Sequence, residues 1–125
     1  MYAKVLVTSL LLGAAALAHA LDVKPYSAQA LAAAQKANQP VAIHFRADWC
    51  TTCRAQDKVL QSLKAEPGLN LTVLAANFDT EKDLLRRFKV RDRSTLVVLH
   101  GTQERARVVW DTSVAGIRDA LKSAL

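Results

Sequence analysis

The chain has 125 residues, of which 51% are hydrophobic and 22% are charged, and its formal net charge is +6. This length suffices for one compact domain with an ordinary core and leaves no room for two. The basic residues are not interleaved with aromatic residues as a base-stacking surface requires, so the charge does not indicate a nucleic-acid-binding protein.

The first twenty residues, MYAKVLVTSLLLGAAALAHA, have the pattern of a secretory signal peptide. Lys4 supplies positive charge, residues 5–18 are largely apolar, and residues 18–20 form a small-x-small cleavage site. The apolar run is shorter than the ~20 residues that a membrane-spanning helix requires. We therefore expect cleavage after Ala20, a periplasmic location, and a mature domain of residues 21–125 that is not inserted in the membrane.

Helical and extended patterns alternate in the first half of the mature chain. The first predicted helix, residues 26–39, has a capping serine, Ser27, and ends before Pro40, which disfavours helix in the preceding residue. The segment PVAIHF that starts at Pro40 has the composition of a short buried strand. A second helical pattern covers residues 50–65 and ends at the sequence EPG.

The second half continues the alternation and closes with a hairpin. Residues 69–78 form the next predicted strand, and the third helix ends near Val90. The segments STLVVLH and RARVVWD flank the turn GTQE, which predicts an antiparallel hairpin. Ser113 caps a last helix. The predicted fold class is α/β, with a mixed central sheet of about four strands and helices on both faces.

The only two cysteines, Cys50 and Cys53, lie at the predicted boundary between a strand and a helix. At the start of a helix, unpaired backbone N–H groups and the helix dipole stabilise a thiolate. Cys53 is one turn further along the same helical face, close enough to attack a mixed disulfide formed on Cys50. The spacing predicts a redox pair in which Cys50 is the nucleophile and Cys53 the resolving thiol.

Other interpretations of the cysteine pair are a metal site and a structural disulfide. A structural zinc site usually needs four ligands, and His19, His44 and His100 are spread along the chain, so no metal site is predicted within one chain. A site bridged by metal between two chains, in a redox-quiet binding module, stays open as an alternative. A purely structural disulfide would close a loop with only two residues between the cysteines and constrain little of the unfolded chain.

Two segments of the sequence resemble the thioredoxin superfamily: ADWCTTC, residues 47–53, and FKVRDRSTLVVLHG, residues 88–101. The segments ADWC and AANFDTEKDLLRRFKV are most similar to the carboxy-terminal periplasmic domain of the DsbD thiol reductant. The resemblance covers residues 40–125.

This resemblance implies a thioredoxin-like fold and thiol–disulfide exchange that needs no cofactor. Trp49 would border the site, Cys50 would be the exposed nucleophile, and Cys53 its buried partner. The implied partners are protein thiols and disulfides, together with a membrane-borne electron donor of the DsbD type. Thr51 and Thr52 replace the Gly-Pro of the family, and the direction of electron transfer is not set by the sequence.

Asp57 and His44 are the candidate proton-handling residues. Asp57 lies four residues after Cys53, where the DsbD-like domain carries an acidic residue. Its carboxylate either relays the proton that Cys53 loses or is a solvated group that pairs with Lys58 or Arg54. His44 aligns with the buried acid of the family. A protonated His44 would stabilise a thiolate, whereas a neutral one would simply fill a strand position.

The resemblance predicts a substrate-binding loop that consists of Arg93, Ser94 and Thr95. Ser94 stands where the family has a cis-proline facing the cysteines. A cis bond before a non-proline residue costs roughly 2.5–4 kcal/mol, so we expect this bond to be trans. In relatives this loop holds a peptide substrate and screens the thiols from metal. Ser94 either preserves the first role through its backbone and hydroxyl or is an ordinary serine at the start of a strand.

Basic residues cluster before this loop. They either flank a groove for anionic partners or form the solvated face of a helix. Trp110, at the end of the last predicted strand, is expected in the core or at its rim. The cluster consists of Lys82, Arg86, Arg87, Lys89, Arg91 and Arg93.

Overall fold

The computed structural model describes residues 20–125, and residues 1–19 of the predicted signal peptide lie outside the described residues. Within these described residues, five strands form one sheet, and four helices cover its two faces. The strands are β1 (Asp22–Pro25), β2 (Pro40–Arg46), β3 (Thr72–Asn77), β4 (Thr95–His100) and β5 (Gln103–Val109). The helices are α1 (Ala28–Lys36), α2 (Thr51–Leu63), α3 (Lys82–Arg87) and α4 (Val114–Lys122). No helix in the described part of the chain is long and apolar enough to cross a membrane.

The sheet is mixed, as the sequence predicts. Its spatial order is β1-β3-β2-β4-β5. The strand β3 runs parallel to both β1 and β2, whereas β4 is antiparallel to β2 and to β5. The predicted hairpin is therefore confirmed, with its turn at Gly101 and Thr102.

The sheet has five strands, and the sequence predicted about four. The additional strand is β1, which pairs in parallel with β3 at the edge of the sheet. Its sequence, DVKP, has one apolar side chain other than the proline, and none of its four residues is fully buried. Neither the alternation nor the apolar run by which a strand is recognised is therefore present.

The residues of β2 alternate between the two faces of the sheet. Val41, Ile43 and Phe45 belong to the core beneath α1 and α3, whereas Ala42 packs in the core beneath α2 and α4. Because both faces are covered, residues 41–45 are all buried. His44 has the same parity as Ala42 and therefore lies under α2, the helix that carries both cysteines.

Local sequence signals set the ends of the helices. The Ser27 hydroxyl accepts a hydrogen bond from the Ala30 amide at 3.0 Å, and the Ser113 hydroxyl accepts one from the Gly116 amide at 3.1 Å, which confirms both predicted caps. The helix α2 starts immediately after Cys50, so the loop between β2 and α2 delivers this cysteine to the carboxyl end of β2.

Candidate functional site

Cys50 and Cys53 form a disulfide at the start of α2, with their Cα atoms 5.2 Å apart. Cys50 is the N-cap residue, and its Sγ accepts a hydrogen bond from the Cys53 amide at 3.2 Å. This is the donor that would stabilise a thiolate on Cys50 after reduction. Cys50 is 3% exposed and Cys53 0%, so Cys53 is buried as expected, whereas Cys50 is not the exposed residue that the resemblance implied.

Ser94 contacts both sulfur atoms. Its Oγ lies 3.3 Å from Cys50 Sγ and 3.0 Å from Cys53 Sγ, and the hydroxyl has no other hydrogen-bond partner in residues 20–125. Ser94 is 1% exposed, so water does not compete freely for this hydroxyl. The Arg93–Ser94 peptide bond is trans, as expected, and Ser94 has a φ of +62°, in the left-handed region. A serine in this conformation carries backbone strain that the surrounding contacts must hold.

The backbone of Ser94 is fully engaged within the fold. Its amide donates to the Phe45 carbonyl at 2.9 Å, and its carbonyl accepts from the Trp110 amide at 3.0 Å. The Gln56 side chain donates a further hydrogen bond to the same carbonyl at 3.0 Å. The backbone groups of Arg93, by contrast, have no hydrogen-bond partner in the described residues, so Arg93 is the position in this loop that is free to pair with an extended peptide.

Gln56 organises the polar groups beneath the disulfide. Its Nε2 donates to the carbonyls of Ser94 and Asp111, at 3.0 and 2.9 Å, and these two bonds fix the orientation of the amide. Its Oε1 therefore faces His44 Nε2, at 2.8 Å. Because Oε1 can only accept, His44 Nε2 must carry the hydrogen, and the lone pair of the neutral ring lies on Nδ1.

His44 Nδ1 is buried and has no hydrogen-bond partner. The nearest charged atom, Asp57 Oδ1, lies 3.5 Å away, too far and poorly placed for a hydrogen bond. Burial lowers the pKa of His44 below its ordinary value of 6.5 and outweighs the hydrogen bond that His44 donates to Gln56 and the charge of Asp57, both of which raise the pKa. His44 is therefore neutral at neutral pH, with an unused proton-accepting atom beside a carboxylate.

Asp57 pairs with Arg46, and not with Lys58 or Arg54. The guanidinium of Arg46 reaches the carboxylate through Nε and a terminal nitrogen, each 3.0 Å from Oδ2. Arg54 instead donates to the Asp48 carbonyl. Arg46 belongs to β2 and Asp57 to α2, so the spacing of residues along one helix could not predict this pair.

Two exposed tryptophans border the disulfide on the side of the loop. Trp49 is 56% exposed, and its Nε1 donates to Asp79 Oδ2 at 2.7 Å. Trp110 is 50% exposed and belongs to none of the core clusters of residues 20–125, so its expected place in the core or at the rim is not confirmed. The guanidinium carbon of Arg93 lies 4.7 Å from the centroid of the Trp49 ring and 5.6 Å from that of Trp110. Arg93 therefore stacks on both rings next to Cys50.

The candidate site residues lie in two groups. The first surrounds the disulfide and consists of Trp49, the two cysteines and the loop of residues 93–95; Trp49 is exposed, whereas the cysteines, Ser94 and Thr95 are buried. The second consists of His44, which is buried, and Asp57, which is half-buried. Gln56, which the sequence interpretation did not single out, connects the two groups. The sequence does mark Gln56 as unusual, because it is a polar residue on the apolar, buried face of α2 that also includes Cys53 and Leu60. No three His, Cys, Asp or Glu side chains converge in residues 20–125 as metal ligands would.

The chain is similar to known proteins in sequence and in fold. A family model described as Thioredoxin matches residues 23–123. A thioredoxin of Mycobacterium tuberculosis is 33% identical over 72 residues, which cover 58% of this chain and 62% of that protein. Thioredoxin 1 of Chlorobaculum tepidum is 34% identical over 76 residues, which cover 61% of this chain and 71% of that protein. The crystal structure of Trxlp from Edwardsiella tarda has a TM-score of 0.75 and 39% identity, and the match covers 80% of this chain and 98% of that one.

Proposed function

Since this chain belongs to the thioredoxin family, we propose that it is a thiol–disulfide oxidoreductase that acts mainly as a reductant of protein disulfides. The observation that carries the proposal is the Cys50–Cys53 disulfide at the start of α2, with the Ser94 hydroxyl in contact with both sulfurs. A redox pair needs a stabilised thiolate and a second thiol within reach, and these contacts supply both.

The reaction starts from the reduced pair. The Cys50 thiolate attacks one sulfur of a client disulfide, and the other client sulfur leaves as a thiolate that takes a proton from solvent. Cys53 then gives up its thiol proton, and its thiolate attacks Cys50 Sγ in the mixed disulfide. The second client sulfur leaves as a thiolate and takes up a proton. Two electrons have passed to the client, and Cys50–Cys53 is left oxidised. The steps use no prosthetic group.

Ser94 serves both steps as a hydrogen-bond donor. During the attack the negative charge lies on Cys50 Sγ, 3.3 Å from the hydroxyl, and before resolution it lies on Cys53 Sγ, 3.0 Å away. A hydroxyl rotates freely about its C–O bond, so one group can donate to whichever sulfur carries the charge. Hydrogen bonds to a charged group contribute about 1.5–3 kcal/mol, which is enough to shift thiolate formation markedly.

The reductant role requires an outside supply of electrons. We propose that the protein is exported through its amino-terminal segment and works in the periplasm on protein thiols and disulfides. There a membrane-borne donor of the DsbD type would reduce the Cys50–Cys53 disulfide again. The support for this part is the signal-like pattern of residues 1–20 and the similarity of the segment ADWC to the DsbD domain.

The deciding experiment is the equilibrium reduction potential of the pair in the mature protein, measured by thiol trapping in dithiothreitol and glutathione buffers. A value near about −270 mV supports a reductant, and one near about −120 mV indicates a disulfide donor. A pair that does not equilibrate, or that is purified with one metal ion for every two chains, refutes the oxidoreductase proposal in favour of a redox-quiet or metal-bridged binding module.

Single-cysteine variants test the assigned roles. Cys53→Ser should accumulate mixed disulfides through Cys50, because the resolving thiol is missing, whereas the matched Cys50→Ser variant should form none. The opposite pattern would reverse the roles of the two cysteines.

A further inference from the structure

Arg93 has its charge held in one place beside the disulfide. Its guanidinium lies over the rings of Trp49 and Trp110, and the Trp49 ring is held by a hydrogen bond of its own. The indole N–H of Trp49 is bonded to Asp79, and the backbone amide of Trp110 is bonded to the Ser94 carbonyl. An arginine stacked in this way has lost much of its rotamer freedom before any ligand arrives.

Two residues that adjoin Arg93, one next to it in the sequence and one beneath its guanidinium, have a strained backbone. Trp110 has a φ of +66° and Ser94 a φ of +62°, and both are non-glycine residues. A left-handed conformation is unfavourable for a bulky aromatic residue, and such strain concentrates at sites that bind or react. Here the strain places an indole ring half in solvent next to Arg93, where it adds little to the core.

Arg93 also lacks an acidic partner. In the described residues, Arg46, Arg86, Arg107 and Arg118 are each paired with a carboxylate, whereas Arg93 takes part in no ion pair and no side-chain hydrogen bond. The flat surface of its guanidinium faces the two tryptophan rings, so the N–H groups along the guanidinium edge are the donors that can bind a ligand. A guanidinium edge with free N–H donors matches the two oxygens of a carboxylate.

We propose that Arg93, supported by Trp49 and Trp110, is a carboxylate-binding subsite for clients, and that the protein prefers disulfides flanked by Asp or Glu. This inference rests on the proposed thiol–disulfide exchange and specifies its substrate class. The free backbone groups of Arg93 would align an extended client segment along the loop, and the guanidinium would hold an acidic side chain beside the client disulfide.

The test uses two synthetic peptides that carry the same mixed disulfide with an uncharged small thiol and differ only in Glu or Gln beside the cysteine. The second-order rates of their reduction by the reduced mature protein are measured by stopped-flow fluorescence at about 0.15 M salt, where distant charges are screened. Each Glu-to-Gln rate ratio is divided by the same ratio for free dithiothreitol, which removes the intrinsic effect of the peptide charge.

We expect the wild-type protein to favour the Glu peptide about fivefold, as a favourable exposed ion pair allows. Arg93→Gln should lower the ratio to about one, and Arg93→Lys should lose most of it, because a lysine keeps the charge but not the planar edge. The matched control is Arg91→Gln, since Arg91 is exposed and basic and lies over no aromatic ring in residues 20–125. This variant should retain the preference.

A wild-type ratio near one overturns the subsite, and so does an equal loss in the Arg91 and Arg93 variants, which would assign the preference to the general positive charge. Failure of the protein to reduce either peptide is a different result. It refutes the thiol–disulfide function itself, and the subsite with it.

Discussion

Replacing His44 with Gln should remove a pH dependence of stability that the wild-type protein has. The Gln side chain can keep an N–H donor facing Gln56 Oε1, but it cannot take up a proton. Burial lowers the pKa of His44 in the folded protein below 6.5, the value expected in the unfolded chain. Below that value the unfolded chain binds more protons than the folded one, so the stability falls as the pH falls.

If His44 stays neutral in the folded protein throughout the pH range used, the size of the stability loss depends only on the protonation of His44 in the unfolded chain. Between about pH 7.5 and about pH 5.5, protonation of an unfolded-state histidine lowers the free energy of unfolding by about 1.4 kcal/mol. The stability is fully present above the unfolded pKa. Asp57 and Gln56 raise the folded-state pKa of His44, whereas burial and Arg46 lower it, and their balance sets the pH at which the loss stops.

The assay is urea unfolding of the oxidised proteins, followed by far-UV circular dichroism at both pH values. The wild-type protein should lose about 1.4 kcal/mol more than His44→Gln on acidification. The matched control is His100→Asn, because His100 contacts the Ala124 carbonyl through Nδ1, whose position an Asn amide can imitate. This control should behave as the wild type does. An equal loss in His44→Gln would refute the reasoning, and a wild type that gains stability in acid would mean that Asp57 holds His44 protonated.

Two further substitutions test the polar groups around the disulfide. Ser94→Ala removes the hydroxyl that faces both sulfurs, so the pH of half-maximal alkylation of reduced Cys50 should rise by about 1 pH unit. The control Ser62→Ala, which loses a hydroxyl further along α2, should not change this pH. An unchanged alkylation profile for Ser94→Ala would contradict the donor role. Gln56→Leu leaves the Asp111 carbonyl and the His44 ring N–H without the hydrogen bonds that Gln56 makes to them, and it removes one of the two hydrogen bonds to the Ser94 carbonyl. It should cost roughly 2–4 kcal/mol of unfolding free energy in urea titrations, against about 0.5 kcal/mol or less for Gln61→Leu on the exposed face of α2. Equal costs would show that the buried hydrogen bonds are not needed.

The parts of the fold that were predictable are those with a strong local signal. Residues 41–45 are apolar except for His44, and they form the central strand, which is buried on both faces. Ser27 and Ser113 predicted the starts of their helices, because each hydroxyl accepts a hydrogen bond from an amide in the first turn of its own helix. The strand β1 gave no such signal, because it is held by pairing with β3, some fifty residues away in the sequence.

The site shows the same division. Two cysteines at the start of a helix are visible in the sequence, since both the spacing and the helix start are local. The pairing of Asp57 with Arg46 and the stacking of Arg93 on Trp110 join residues from different elements, so they depend on packing that only the folded chain provides. Gln56 is an intermediate case. Its position on an apolar face was visible, but the three groups that it satisfies come from β2, the loop before β4 and the segment after β5.

The two outer strands of the sheet affect how this protein tolerates its surroundings. In residues 20–125, each outer strand leaves one side without a strand partner, and such a side can template the addition of a foreign strand. The strand β1 has only four residues and ends at Pro25, which has no N–H to donate. The strand β5 carries exposed charges at Glu104, Arg105 and Arg107. Short length, proline and charge all oppose cross-β association, so the described part of the chain is protected against edge-to-edge aggregation.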